Sequence, residues 1–507
     1  MNLPTFDQLH VISDLHLGGA KGRQIFTSTR EARGFLKHLS AIADAQVGLV
    51  INGDLVDFLA EDNAQCFDTD PDRAETKLRN IAGRDAFKPV FEGLREFVAA
   101  ANHHLAINLG NHDLEFALPW VRRTLLDLLS GGEDSARGRI ALTLDGSGYR
   151  AQVGRARVIC LHGNEVDPWN VTDYEKLRCL GRDLSLGKSV EPWKPNAGSR
   201  MVIEVMNGIK ADWPFVDLLK PETKAVPLIL LALNPQLAWK VKEIATLFAA
   251  AKTTAAKREA GFLGELGWTP VGAPVNLLAA DEARLLRKLG QPSGSGPQIG
   301  LLDGIERQFR SGVEPVELLG MDHDAAYLGK LNDFWAATTG WLHQTGADLK
   351  AWLNGKGRLV LRKSLECLVE DRIFDLSDAS DTTYRETDEK VGPEFNFVIT
   401  GHTHLERALR RQNGGGFFYN SGTWAGIMRL ERHVLENESE FTTLYRHLEA
   451  GSLEVLEKND LVMRHNTVVS ITAGAGGSAH GTLRHIKLNK SGKLAPETVA
   501  GSESDVA

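Results

Sequence analysis

Cysteine is scarce in this chain, and its placement excludes more than its number does. Cys66, Cys160, Cys179 and Cys367 stand far apart with no CxxC spacing, so neither a disulfide framework nor a zinc ribbon is indicated, and a reducing compartment fits. Long apolar runs are missing as well. The longest, Ala225 to Leu233, contains Pro227 and stops at Asn234-Pro235, well short of the roughly 18 residues a membrane span requires; it reads as a buried helical segment. Basic charge is not in excess. The 58 Lys and Arg against 66 Asp and Glu give a formal net charge of -8, which argues against a broad electrostatic footprint for nucleic acid and leaves only a local patch open. Met1 to Gln8 carry neither a basic n-region nor an apolar h-region, so no signal peptide and a cytoplasmic location are expected. Repeats at solenoid spacing are absent too.

What is present is a chain of 507 residues, too long for one ordinary core and pointing to two or three domains. Its first part alternates strand and helix. His10 to Ser13 and Val47 to Ile51 read as buried strands, and between them Phe35, Leu36, Leu39 and Ile42 mark a helix face, with Ser28 and Glu31 as its capping box; together they predict a βαβ unit. Phe87 to Val98 gives a second amphipathic helix, followed by the strand His104 to Leu109. Further strands are predicted at Arg157 to Leu161, Phe395 to Thr400, Phe417 to Tyr419, Thr467 to Thr472 and Thr482 to Leu488. From Asp167 to Glu394 the texture is helical, with a flexible linker at Gln291 to Pro297 and a polar return hinge at Asp375 to Lys390. The expected organisation is therefore a core in two parts, 1–170 and 391–488, an inserted all-helical domain over 171–390, and a polar, disordered tail over 489–507.

Five of these strands end in polar, metal-capable residues. Asp14 and His16 follow the first strand, Asp54 the second, Asn111-His112-Asp113 the third, His162 the next, and His402 and His404 the fifth. An open α/β sheet places its chemistry at these carboxyl ends. Asp14, His16, Asp54, Asn111, His162, His402 and His404 are oxygen and imidazole donors with no thiolate among them, a set suited to Mn²⁺, Fe or Zn²⁺. Seven are too many for one ion. Two ions about 3.5–4 Å apart need a shared ligand, which a carboxylate can be, and such a pair clamps a phosphate.

Asp-x-His, Gly-Asp-x-x-Asp, Gly-Asn-His-Asp, His-Gly-Asn and Gly-His-Thr-His, in this order over roughly residues 8 to 170 and 391 to 424, resemble the motif series of the calcineurin-like metallophosphoesterase family. The resemblance implies an α/β fold with a four-layer core, two mixed β-sheets flanked by helices, here carrying the large helical insert as a cap. It also implies two divalent ions, Mn²⁺ foremost with Fe or Zn²⁺ as options, one held by Asp14, His16, Asp54 and His404 and the other by Asp54, Asn111, His162 and His402. Asp54 would be the bridge. Hydrolysis of a phosphomonoester, phosphodiester or pyrophosphate by a hydroxide shared between the ions would follow, with His112 contacting the phosphate and assisting the leaving oxygen, oriented by a carboxylate such as Asp113. Ser-Asp-Leu-His-Leu at Ser13 to Leu17 and the His-Gly-Asn-Glu-x-Asp run are similar to the UDP-2,3-diacylglucosamine pyrophosphatases, which typically carry Arg where His112 stands and a far smaller cap. The Asp-Leu-His-Leu-Gly start also resembles the repair-nuclease branch. A nuclease or cyclic-nucleotide phosphodiesterase is thus the alternative among enzymes, and a non-catalytic scaffold whose helical domain binds a partner is the alternative outside them.

Other conspicuous residues have plainer readings. His103-His104 and Asp322-His323-Asp324 fall outside the motif order and are assigned no function. Cys160 reads as a small buried hydrophobe. Asp57 reads as a neighbour of Asp54 that either supports the ligands from behind or stabilises the loop. Eight of the ten tryptophans lie between Trp169 and Trp352 and are expected in a helical core. Arg178, Arg182, Lys188, Lys194, Arg200 and Lys210, interleaved with acids, are expected on a solvated face.

Overall fold

The computed structural model describes residues 3–20, 24–220, 229, 233, 358–366, 369 and 374–506. Val47 to Ile51 is apolar without alternation because both faces of the strand are covered. Val50 points into a core shared by two sheets, while Val47, Leu49 and Ile51 point into a core shared with helices. Each such fully buried aliphatic side chain contributes roughly 1.5–3 kcal/mol.

The larger sheet runs β15 (Leu494–Thr498), β14 (Ala479–Leu488), β13 (Thr467–Ala473), β2 (Gln8–Ile12), β3 (Val47–Asn52), β4 (His103–Asn108), β5 (Ile140–Thr143), with β16 (Ser504–Val506) also paired to β14. Strands β2 to β5 are parallel, and β13, β14 and β15 are antiparallel. The second sheet runs β1 (Thr5–Phe6), β6 (Tyr149–Val153), β7 (Ala156–Cys160), β8 (Phe397–Thr400), β10 (Phe417–Asn420), β9 (Arg407–Arg410), with β7, β8 and β10 parallel. The fold is thus mixed α/β. The expected βαβ unit is β2, helix Thr29–Ser40 and β3, but Ser28 makes no side-chain cap bond. The capping box is therefore not formed.

The two sheets face each other across a core that includes Val11, Val50, Ala106, Val158, Ile399 and Leu483. Helices Thr29–Ser40, Pro71–Gly83, Lys88–Ala99 and Pro119–Ser130 cover the outer face of the first sheet through residues such as Phe35, Leu78, Phe91 and Leu125. On the outer face of the second sheet, Tyr384 and Val391 pack on Ile159, Val398 and Phe418. The stretch expected as a hinge is here helix Thr382–Lys390, and its Asp388 forms a buried pair with Arg411 (Oδ1 to Nε 2.6 Å). It belongs to the sheet packing because Thr383, Tyr384, Thr387 and Asp388, at helical spacing, are all buried along one side.

The described part of the expected insert is helical at Tyr174–Ser185, Ala197–Met201, Asn207–Lys210 and Arg358–Glu366. Its core joins Val205, Phe215, Ile229, Leu233 and Leu361 to Leu435, Phe441, Leu444 and Leu448, which lie on or beside helices Arg432–Glu436 and Glu438–Glu449. Residues 432–449, placed with the second part of the core by sequence, therefore pack with the helical unit. The linker expected at 291–297 and the cluster at 322–324 lie outside the described residues. The tail is a further correction. Residues expected to be disordered form β15 and β16, tied down where Tyr419 Oη donates to Ser502 O at 2.7 Å. Backbone pairing to an open edge of β14 orders a segment too polar to be recognised as core. Among the described residues no helix is long and apolar enough to cross a membrane.

Candidate metal centre

Because β2, β3 and β4 are parallel and in register, the loops that follow them emerge side by side; the same holds for β7 and β8 in the second sheet. Buried amides lock the two sets together. Asn108 Nδ2 donates to Asn52 Oδ1 (2.6 Å) and to Cys160 O (2.8 Å), and Asn52 Nδ2 donates to Leu161 O (2.7 Å). These three buried bonds tie the loops of the two sheets to one another. The loops bring Asp14, His16, Asp54, Asn111, His162 and His404 into one buried cluster.

The backbone there is strained. Asp14 (φ 53°), His16 (48°), Asp54 (52°), His402 (68°) and His404 (62°) all lie in the left-handed region, at roughly 1–3 kcal/mol each for a residue held in a sparsely populated conformation. Two glycines allow the close approach. A Cβ on Gly53 would collide with the His162 ring, and one on Gly110 would collide with Asp54 Oδ1 and N.

Side-chain atoms face one another at short range. His16 Nε2 is 3.1 Å from His404 Nε2, and Asp14 Oδ1 is 3.4 Å from His404 Nε2 and 3.9 Å from His16 Nε2. Asp54 Oδ2 lies 3.3 Å from His162 Nε2 and 3.7 Å from His16 Nε2. Asn111 Oδ1 is 3.3 Å from His162 Nε2. Thus Asp54 Oδ2 sits between two donor groups. Asp54 Oδ1 instead accepts the His112 backbone N–H at 2.9 Å, so one carboxylate oxygen, not both, is turned to the cluster. His402 is turned aside, with Nε2 at 2.8 Å from Asp167 Oδ2.

Three acids around the cluster have different tasks. Asp57 takes His16 Nδ1 on Oδ2 (3.2 Å) and His112 Nδ1 on Oδ1 (3.0 Å). It therefore orients both rings and, taking the Ala60 N–H on Oδ1 at 3.0 Å, also holds the loop. Asp113, expected as the partner of His112, is not. Its oxygens accept the Gly110 and Leu55 N–H groups, both at 2.8 Å, because the turn after β4 directs it inward to the backbone rather than toward the imidazole. Asp167 and Asn170 were not singled out as site residues. Asp167 holds His402 and accepts from Asn170 Nδ2 (2.7 Å), and Asn170 Oδ1 takes Asn111 Nδ2 at 3.4 Å. The Asp ending the His-Gly-Asn-Glu-x-Asp run was the available signal. Lys220, buried beside the site, had none.

Charges follow the geometry. Burial pushes the Asp54 carboxyl up, but the His162 and His112 contacts outweigh it and hold Asp54 well below the usual carboxylate range. Asp57 behaves likewise through His112 and His16. Asp113 is pushed up to about 8 by burial and by the Asp54 charge, which outweigh its bonds to Gly110 and Leu55 and the His162 charge. Burial opposes the charged form of His162, yet Asp54 and Asp14 raise it to about 10, whereas burial and Lys220 lower His404 to about 4.

Among the described residues, Asp14 Oδ1 is buried and makes no hydrogen bond. An orphaned carboxylate oxygen facing imidazole nitrogens calls for a cation, so the donor set fits divalent metal. The remaining expectations resolve simply. His103 bonds Phe97 O and Ile42 O and stacks on Phe97; Cys160 is fully buried and its thiol is pushed up by burial; Arg178, Arg182, Lys188, Arg200 and Lys210 each meet an acid. Lys210 is nonetheless buried, not solvated. No protein-family profile matches this chain, and no curated protein matches it in sequence.

Proposed function

We propose that the protein is a dinuclear metal-dependent phosphoesterase of the calcineurin-like type, with the two facing sheets as its four-layer core and the helical unit as its cap. The observation that carries this reading is Asp54 Oδ2, placed between the His162 and His16 imidazoles within a set of buried oxygen and nitrogen donors. Asp14, His16, Asp54 and His404 would hold one ion; Asp54, Asn111 and His162 would hold the other, with His402, oriented by Asp167, as the remaining candidate ligand. Bound metal would supply Lewis-acid stabilisation of charge on the phosphoryl oxygens and of the attacking water.

The chain's own residues do the rest. Asp57 keeps a proton on His112 Nδ1, so in the imidazolium form Nε2–H donates to a phosphoryl oxygen and then to the departing oxygen. The His112 N–H to Asp54 Oδ1 bond keeps that imidazole in step with the proposed bridge. Asp167 fixes His402, and Asn170 fixes the Asn111 amide. Full-length protein refilled with Mn²⁺ should hydrolyse a generic aryl phosphate monoester or diester, and Asp54→Asn should abolish this. No turnover with any substrate class under Mn²⁺, Fe²⁺ or Zn²⁺ refutes the reading.

A further inference from the structure

A second group of metal-type donors lies outside the set just described. Glu406 stands immediately before β9, His465 two residues before β13, and His485 on β14, opposite Thr467 in the β13–β14 register. Three segments distant in sequence thus bring one carboxylate and two imidazoles together. Glu406 Oε2 is 2.7 Å from His485 Nε2, and Oε1 is 3.2 Å from His465 Nδ1. One donor atom from each residue lies within 4.8 Å of the others. The two imidazoles stack with centroids 4.0 Å apart at 29°, which aims both rings at the same carboxylate.

The surroundings are built for such a group. Thr467 Oγ1 donates to Glu406 Oε2 at 3.2 Å, the kind of outer contact that orients a ligating carboxylate. Gly422, at φ 60°, leaves room, since a Cβ there would stand 2.9 Å from Thr467 Oγ1. The His465 side chain is 29% exposed and those of His485 and Glu406 are 14% and 15% exposed, so an ion and its waters have access. A small cavity bordered by His404, Thr423, Glu406, His465 and Thr467 adjoins the group.

We propose that Glu406, His465 and His485 form a separate mononuclear site for a borderline divalent cation of the Zn²⁺ class. Two imidazoles and one carboxylate, with further positions left to water, are the donors such an ion prefers. The ion would pin the turn carrying His404 to β13 and β14. This assignment stands whether or not the protein cleaves phosphoesters.

Full-length Asp54→Asn protein, which weakens the first site, should be stripped with chelator and titrated with Co²⁺, reading visible absorption and bound metal by elemental analysis. Adding His485→Gln should remove one equivalent of Co²⁺ and its absorption band, weakening binding at least tenfold. His465→Gln, at the most exposed of the three side chains, should do the same and serves if His485→Gln fails to fold. Unchanged stoichiometry and spectrum in the folded variants overturn the proposal.

Discussion

Asp57 and His112 meet at 3.0 Å, carboxylate Oδ1 to imidazole Nδ1, while the other oxygen of Asp57 holds His16. One buried acid thus couples the proposed acid of the leaving group to a proposed ligand. Asp57→Ala should lower kcat by about 10–100-fold, the usual cost of losing a contact that orients a metal-site residue. Loss of metal should accompany it through His16. Steady-state kinetics with metal analysis decide this; a variant with wild-type kcat and full metal content would show that the contact is incidental.

A proton on His162 would compete with the proposed ion for that imidazole. With its pKa raised to about 10 in the metal-free protein, the stability it contributes is full below roughly pH 6.5 and fades as the pH rises through about 10. Metal must displace that proton, so affinity runs the opposite way. The apparent Kd for Mn²⁺ should tighten about tenfold for each pH unit between 7 and 9, measured by titration calorimetry in buffers of different ionisation enthalpy. A flat profile, with no proton released, is the contrary result.

Gly110 has no space for a side chain because Asp54 Oδ1 and N occupy it. Gly110→Ala should displace Asp54, with loss of tightly bound metal and at least a hundredfold loss of phosphoesterase activity, while circular dichroism stays close to wild type. The size follows from how steeply catalysis depends on placement to about 1 Å. Retention of both metal and activity would mean that Asp54 is not held where it acts.

The tail is a structural element. Truncation after Leu488 removes β15, β16 and the partners of Tyr419 Oη at Ser502 O and Ser504 Oγ. A drop in the thermal midpoint of several degrees is expected, since each kcal/mol shifts Tm by about 2–4 °C in domains of 150–250 residues. An unchanged melting curve would place these strands outside the cooperative unit.

How much of this was legible beforehand depends on whether the cause is local. Strands with continuous apolar runs, such as Val47 to Ile51, announce themselves because burial on both faces leaves no polar position within the run. The donor residues were equally visible, since metal-type side chains directly after such runs form a pattern of identity and order. By itself the sequence determined the βαβ unit and named Asp14, His16, Asp54, Asn111, His162 and His404, which the fold gathers, together with His402, which the fold turns to Asp167. Tertiary structure alone decided the division of labour among the acids: Asp57 against His16 and His112, Asp113 against the backbone, Asp167 against His402. It also decided that the polar segment after Leu488 pairs as strand, and that Glu406, His465 and His485 meet. A carboxylate's partner is set by contacts a few ångströms long, most of them between segments tens of residues or more apart, and neither local periodicity nor residue identity encodes such a distance.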